Sequence, residues 1–190
     1  MPLTEPRTVR WTKDEYHRLA EMSRFDDRWV ELLDGEIFVM PVPKIAHVVA
    51  LDQTTGTLPG AFGSGYWVSP QAPLDLTLTS EPVPDLFVVP GKARDYAAHP
   101  ITALLIVEVS DTTLSHDCNR KASLYAAARI QDYWIVNLVD RLLEVYRAPV
   151  SDPCQPFRLS YSQRTNLSTG DTVSPLALPQ AQIAVADLFP

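Results

Sequence analysis

Hydrophobic and polar positions along this chain fall into short blocks with two different periods. The run LLIVEV at 104–109 is apolar and β-branched but too short for a typical helix, which predicts a buried strand interrupted by one charge, Glu108. Residues 11–23 carry helical spacing instead. Thr12 and Glu15 have the T-x-x-E arrangement of a capping box, and Trp11 is placed to staple onto Tyr16. Tyr16, Leu19, Ala20 and Ser23 would form the inner face of that helix. In WVELLDGEIFVM, Asp34-Gly35 lies between two β-prone runs and predicts a two-residue hairpin turn. That register sets Leu33 opposite Glu36 and Glu31 opposite Phe38. Glu31, Leu33, Glu36 and Phe38 then share one face of the ribbon, and Val30, Leu32, Ile37 and Val39 the other.

Further along, the pattern predicts a helix from Ile45 to about Leu58, with His47 near its start read as a capping or surface residue. A glycine-punctuated turn follows at Gly60, Gly63 and Gly65. Strands are expected at 66–68, 74–78 and 86–89, with a loop and a helical turn over 91–102. Beyond the central strand Ser115 reads as an N-cap. In a regular helix Asp117, Lys121, Leu124, Tyr125 and Ala128 lie on one face. A second hairpin is expected over 132–147, turning near 139–141, then a loop at 149–156, a strand at 157–162 and a turn at 169–172. No internal repeat or long linker interrupts this order. It predicts one α/β domain over 1–190, a central mixed sheet flanked by helices with accessory hairpins. The core would occupy about 11–148, and 149–190 would add C-terminal strands and a tail.

Composition narrows the class. The 190 residues are 46% hydrophobic and 21% charged, as in ordinary globular proteins. No apolar run approaches the roughly 20 residues that span a bilayer. The N-terminal MPLTEPRTVR lacks an apolar signal region, so a cytoplasmic location is expected. Cys118 and Cys154 are expected to be free thiols. The net charge of −7, without any Lys/Arg block, argues against nonspecific adhesion to nucleic acid, which rests on a basic surface. Any polyanion would have to be held by metals and a local basic face.

The candidate chemistry centres on Glu108. A carboxylate inside an apolar strand is costly unless it is paired or bound to a metal. Asp85 heads the strand at 86–89, Lys121 sits on the helix after the central strand, and Glu31 or Glu36 could join from the first hairpin. Two or three convergent carboxylates suit Mg²⁺ or Mn²⁺. A lysine beside such an ion can orient a water and offset charge building on a phosphate. The set suggests metal-assisted hydrolysis of a phosphodiester.

Pro84-Asp85 followed by Glu108-Val109-Ser110 resembles the PD-(D/E)XK nuclease superfamily. ELLDGE, VPDLFVV, LIVEVSD, DCNRKASLYA, YWIVN, LEVYR and VADLFP, in that order, resemble the Uma-type family of restriction-endonuclease-like proteins, from about Trp11 to Phe189. The resemblance implies a restriction-endonuclease-like fold and a Mg²⁺-dependent endonuclease acting on DNA. Asp85 and Glu108 would hold the metal, helped by the backbone carbonyl of Val109. The chain departs from the superfamily pattern at Ser110, where a lysine is usual, and Lys121 matches the lysine that this family takes from the next helix. Glu31 is the better match for the additional acidic residue and Glu36 the second. Asp117 and Tyr125 would orient Lys121. Two other readings stand beside this one: a non-catalytic binding or assembly module of nuclease fold, and a metal-dependent hydrolase of small phosphoesters. The aromatic-rich hairpin Tyr133 to Tyr146 suggests a homodimer.

Overall fold

A computed structural model describes residues 8–190 of the chain; the N-terminal residues 1–7, read above for a leader, lie outside the described residues. The framework is a six-stranded mixed sheet of order β3-β4-β5-β6-β7-β8. Its strands are β3 (Tyr66–Pro70), β4 (Leu86–Pro90), β5 (Leu105–Ser110), β6 (Asp132–Asn137), β7 (Leu142–Ser151) and β8 (Leu159–Leu167). β5 and β6 pair in parallel, and the other neighbours are antiparallel. The parallel pair needs a long crossover, which the helical stretch 114–127 supplies.

Alternation along the strands sorts the core into two layers. Leu105, Val107 and Val109 of β5 join Leu86, Val88, Trp134 and Val136 on the face covered by α2 (Ile45–Phe62). Ile106 joins Phe87, Val89, Tyr133 and Ile135 on the other face, with Leu124 and Tyr125 of the crossover packed over them. Glu108 alternates with Val107 and Val109 and therefore points into the second layer, towards the crossover. The C-terminal β9 (Thr172–Val173) and β10 (Ile183–Ala184) pair with each other, and Val173, Ile183, Val185, Leu188 and Phe189 complete the first layer.

The first hairpin forms in the predicted register. β1 (Val30–Leu33) pairs with β2 (Glu36–Val39) so that Leu33 meets Glu36 and Glu31 meets Phe38. Asp34 and Gly35 take φ of +51° and +74°, as a tight hairpin turn requires. The hairpin docks through backbone bonds, Glu81 N–H to Leu32 O (2.8 Å) and Gly35 N–H to Thr79 O (2.7 Å). A Cβ on Gly35 would lie 2.5 Å from Arg10 Cβ and 3.0 Å from the Trp11 nitrogen. Gly35→Ala therefore combines an unfavourable φ with a backbone clash and should cost roughly 2–3 kcal/mol. Thermal unfolding would register this as a melting temperature several degrees lower; an unchanged value would contradict the turn geometry.

The capping box is present at α1 (Lys13–Glu21), but only Tyr16 of the expected inner face is fully buried, and Ala20 and Ser23 are exposed. Four other expectations are corrected. The segment 74–78 is not a strand: beyond a Thr77–Ser80 bridge it pairs with nothing regular, and Leu78 is exposed. α2 continues past Leu58 through Pro59 to Phe62, ending at Gly63 with φ +73°, because Phe62 is buried against Tyr66. β7 and β8 extend through parts of the loop expected at 149–156 and beyond 162, pairing Ser151 with Leu159. The crossover starts at Leu114 rather than after Ser115, which lies inside the helical turn it was expected to cap. It comprises α3 (Leu114–His116), a π turn (Asp117–Lys121) and α4 (Ala122–Ala127).

The hairpin 132–147 turns where expected. Its aromatic residues, Tyr133, Trp134 and Tyr146, are buried within this chain's own core, so they do not form the open apolar face that suggested a homodimer. Cys118 and Cys154 are free thiols. Among the described residues no helix is long and apolar enough to cross a membrane.

Candidate active site

The antiparallel register of β4 and β5 sets Leu86 opposite Val107, so the next rung brings Asp85 opposite Glu108. The two residues interlock. Asp85 Oδ2 accepts the Val109 N–H at 2.8 Å, and Glu108 Oε2 accepts the Asp85 N–H at 3.3 Å. Glu108 Oε1 accepts from Lys121 Nζ at 3.0 Å and from the Tyr125 hydroxyl at 2.7 Å. Lys121 also lies 3.2 Å from Glu31 Oε2, held on β1 opposite Phe38. Glu31 Oε2 accepts the Val83 N–H at 3.3 Å, and Glu31 Oε1 lies 3.4 Å from His116 Nε2. Lys121, Glu31 and Glu108 are 2%, 1% and 3% exposed.

Asp117 and Lys121 occupy the two ends of the π turn, where the Ala122 N–H reaches back to Asp117 O. Both are buried, and π turns of this kind recur at functional sites. Asp117 Oδ2 accepts from the hydroxyls of Ser110 (2.6 Å) and Thr113 (2.7 Å). Ser110 thus anchors the turn that delivers Lys121. Tyr125 is fully buried and donates to the same Glu108 oxygen as Lys121. Glu36, further along the same face of the ribbon, pairs instead with Arg120 at 2.7 Å and Arg10 at 3.6 Å.

Glu31, Asp85, Glu108 and Asp117 surround a single lysine, so negative charge is in excess. Burial pushes Glu108 well above the usual carboxylate range; Lys121 opposes this, while Asp117, Asp85 and Glu31 add to it. Burial would favour a neutral Lys121, yet Glu108 and then Glu31 override it and hold the ammonium well above its ordinary value. Burial acts upward on Glu31 too, but Lys121 and His116 prevail and lower it. Asp117 is raised, chiefly by burial.

One residue escaped the sequence reading. His47 is not a surface residue: its Nε2 lies 3.2 Å from Asp85 Oδ1. Burial lowers its affinity for a proton, but the hydrogen bond and charge of Asp85 win and raise it. Its available signal was helical phase, since His47 precedes the buried Ala50, Thr54 and Leu58 on one face of α2. Asp85, Glu108, Val109, Asp117, Lys121 and His47 all line one open cleft.

Among the described residues, no three His, Cys, Asp or Glu side chains converge as a ready-made metal cage. The donors that do meet are hard carboxylate oxygens on adjacent strands. Mg²⁺ commonly binds through one or two carboxylates, waters and substrate phosphates rather than an all-protein cage, so the chemistry of this pair fits it. An excess of buried negative charge fits a cation as well.

A central mixed sheet with flanking helices and acidic residues at the ends of adjacent strands is the restriction-endonuclease-like architecture. The chain belongs to the Uma2 family, described as "Putative restriction endonuclease", which matches residues 13–186. Among solved structures it is similar to the crystal structure of "a putative nuclease belonging to DUF820" from Anabaena variabilis ATCC 29413. That likeness has a TM-score of 0.69 at 15% identity and covers 94% of this chain and 97% of the other, which shows a common fold. No curated protein matches the chain.

Proposed function

We propose that this protein is a metal-dependent endonuclease that hydrolyses phosphodiester bonds of DNA at the cleft formed by Asp85, Glu108 and Lys121. The observation that carries the reading is a buried lysine locked between Glu31 and Glu108 on a cleft wall, beside Asp85. Family membership and the nuclease fold support it.

Asp85 and Glu108, with the carbonyl of Val109, would hold Mg²⁺ or Mn²⁺. Such an ion would polarise the scissile phosphate and lower the pKa of a bound water. Lys121 positions the attacking water and offsets charge developing on the phosphate oxygens. Glu31 fixes the ammonium from the hairpin side. Tyr125 restrains Glu108 Oε1 and so keeps Oε2 directed at Asp85; Asp117 secures the turn beneath Lys121. The net charge of −7 favours the second reading, a non-catalytic module or a hydrolase of small phosphoesters.

Calorimetric titration with Mg²⁺ or Mn²⁺ separates these. Binding by the wild type, lost in both Asp85→Asn and Glu108→Gln, is the expected outcome. Wild-type protein that binds neither ion, even with DNA present, would leave the non-catalytic reading. Metal binding with cleavage of a small ester but not of DNA would select the other hydrolase.

A further inference from the structure

Beyond the floor of the cleft, its lip is apolar. The Met40 N–H bonds to Trp29 O at 2.8 Å, extending the first hairpin past its strands. Pro41, Val42 and Pro43 continue from it, and with Trp29 and Met40 they line the cleft mouth above Asp85 and Glu108. Trp29 is 45% exposed and Val42 91%. A second, open groove shares Met40, Pro41, Thr112 and Thr113 with the cleft and runs on past Phe38, Asn119 and Arg120. There the Arg120 guanidinium lies 4.7 Å over the Phe38 ring. It pairs with Glu36, but its buried Nε has no hydrogen-bond acceptor among the described residues.

Lys121 and Arg120 are the Lys/Arg side chains lining these two depressions among the described residues, and Lys121 is held inside by its carboxylates. A duplex-binding surface relies on many phosphate contacts from such residues. A strand with unpaired bases can supplement its phosphate contacts by laying its π faces on aromatic and apolar platforms, which a duplex does not offer. Its flexible backbone can also descend beneath a lip to carboxylates that are almost wholly buried.

Taking the phosphodiesterase reading as its premise, we infer that the substrate enters as single-stranded or flapped DNA. Bases rest on the lip formed by Trp29 and Val42, and the strand leaves along the Phe38–Arg120 groove, where Arg120 meets a flanking phosphate.

Anisotropy titrations with a labelled single strand, its duplex and a flapped duplex test this, in chelator and in parallel with Mg²⁺-dependent cleavage of the same three substrates. Single-stranded and flapped DNA should bind at least tenfold tighter than duplex. Trp29→Ala should remove most of that preference, Trp29→Phe should keep it, and Arg120→Gln should weaken binding with a shallower salt dependence. Circular dichroism checks that each variant folds, and loss of tryptophan emission on binding gives an independent reading of wild type against Trp29→Phe. Equal binding and cleavage of duplex, or a preference untouched in Trp29→Ala, would overturn the inference while leaving the nuclease reading intact. Absence of both binding and cleavage for all three would overturn both. A dimer that Trp29→Ala dissociates, with no strand preference, would assign the lip to a second copy of the chain instead.

Discussion

Glu108→Gln should reduce metal-dependent cleavage by about a thousandfold or more, while the melting temperature stays level or rises. Glutamine keeps the volume and one acceptor oxygen for Lys121 and Tyr125, so the packing around the central strand survives. What it removes is the charge that would share a metal with Asp85, and metal stabilisation of the transition state amounts to several kcal/mol. Stability moves the other way because Glu108 is buried and its carboxyl is held well above the ordinary range. A raised carboxyl binds more protons folded than unfolded, so it subtracts stability as pH rises above about 4.3. Any advantage of the glutamine variant should therefore widen from pH 4 upward. Paired cleavage assays and thermal melts across that interval check both halves. A variant that cleaves normally would remove Glu108 from the chemistry.

Lys121→Met should fail in both respects. It removes the ammonium between Glu31 and Glu108 and strands two carboxylates in a dry setting, which should cost roughly 3–5 kcal/mol. Cleavage should also fall, since no other lysine or arginine among the described residues lines the cleft. The pH dependence follows from the shifts. Lys121 is raised, so its contribution is present in full below about 10.4 and lost only as pH climbs through its folded value. Glu31 is lowered, so its share is present above about 4.3 and lost as pH falls through its folded value. The deficit of the methionine variant should thus be large at pH 7 and shrink in acid. Urea unfolding at pH 7 and pH 4 measures it. A deficit independent of pH would point to packing rather than charge.

Much of this site could be read from the chain because strands write their faces into alternation. Glu108 interrupts an apolar run, and the parity that buries Val107 and Val109 on one face sends it to the other. Asp34-Gly35 fixed the hairpin register and so put Glu31 and Glu36 on one face; that Glu31 and not Glu36 meets Lys121 depended on how the hairpin docks. The remainder depended on contacts between distant segments. Nothing local marks the π turn, which shifts a hydrogen-bond partner by one residue without special composition. Leu74, Leu76 and Leu78 alternate like a strand, yet among the described residues no strand pairs with them. Pro59 and Gly60 punctuate a helix that the burial of Phe62 carries through. His47 gains its meaning only from Asp85, brought to it by the sheet.

In the more familiar arrangement the lysine shares a strand with its acidic partner, so the two are neighbours as soon as that strand exists. Here the ammonium rides on the crossover, one carboxylate on a separate ribbon, and the other two on adjacent strands. An incomplete or damaged chain can keep every one of these residues and still lack the assembled site. On the nuclease reading, cutting ability arrives only when the crossover and the ribbon have both docked. On that reading assembly itself is the safety catch: half-made copies hold the residues but not the site.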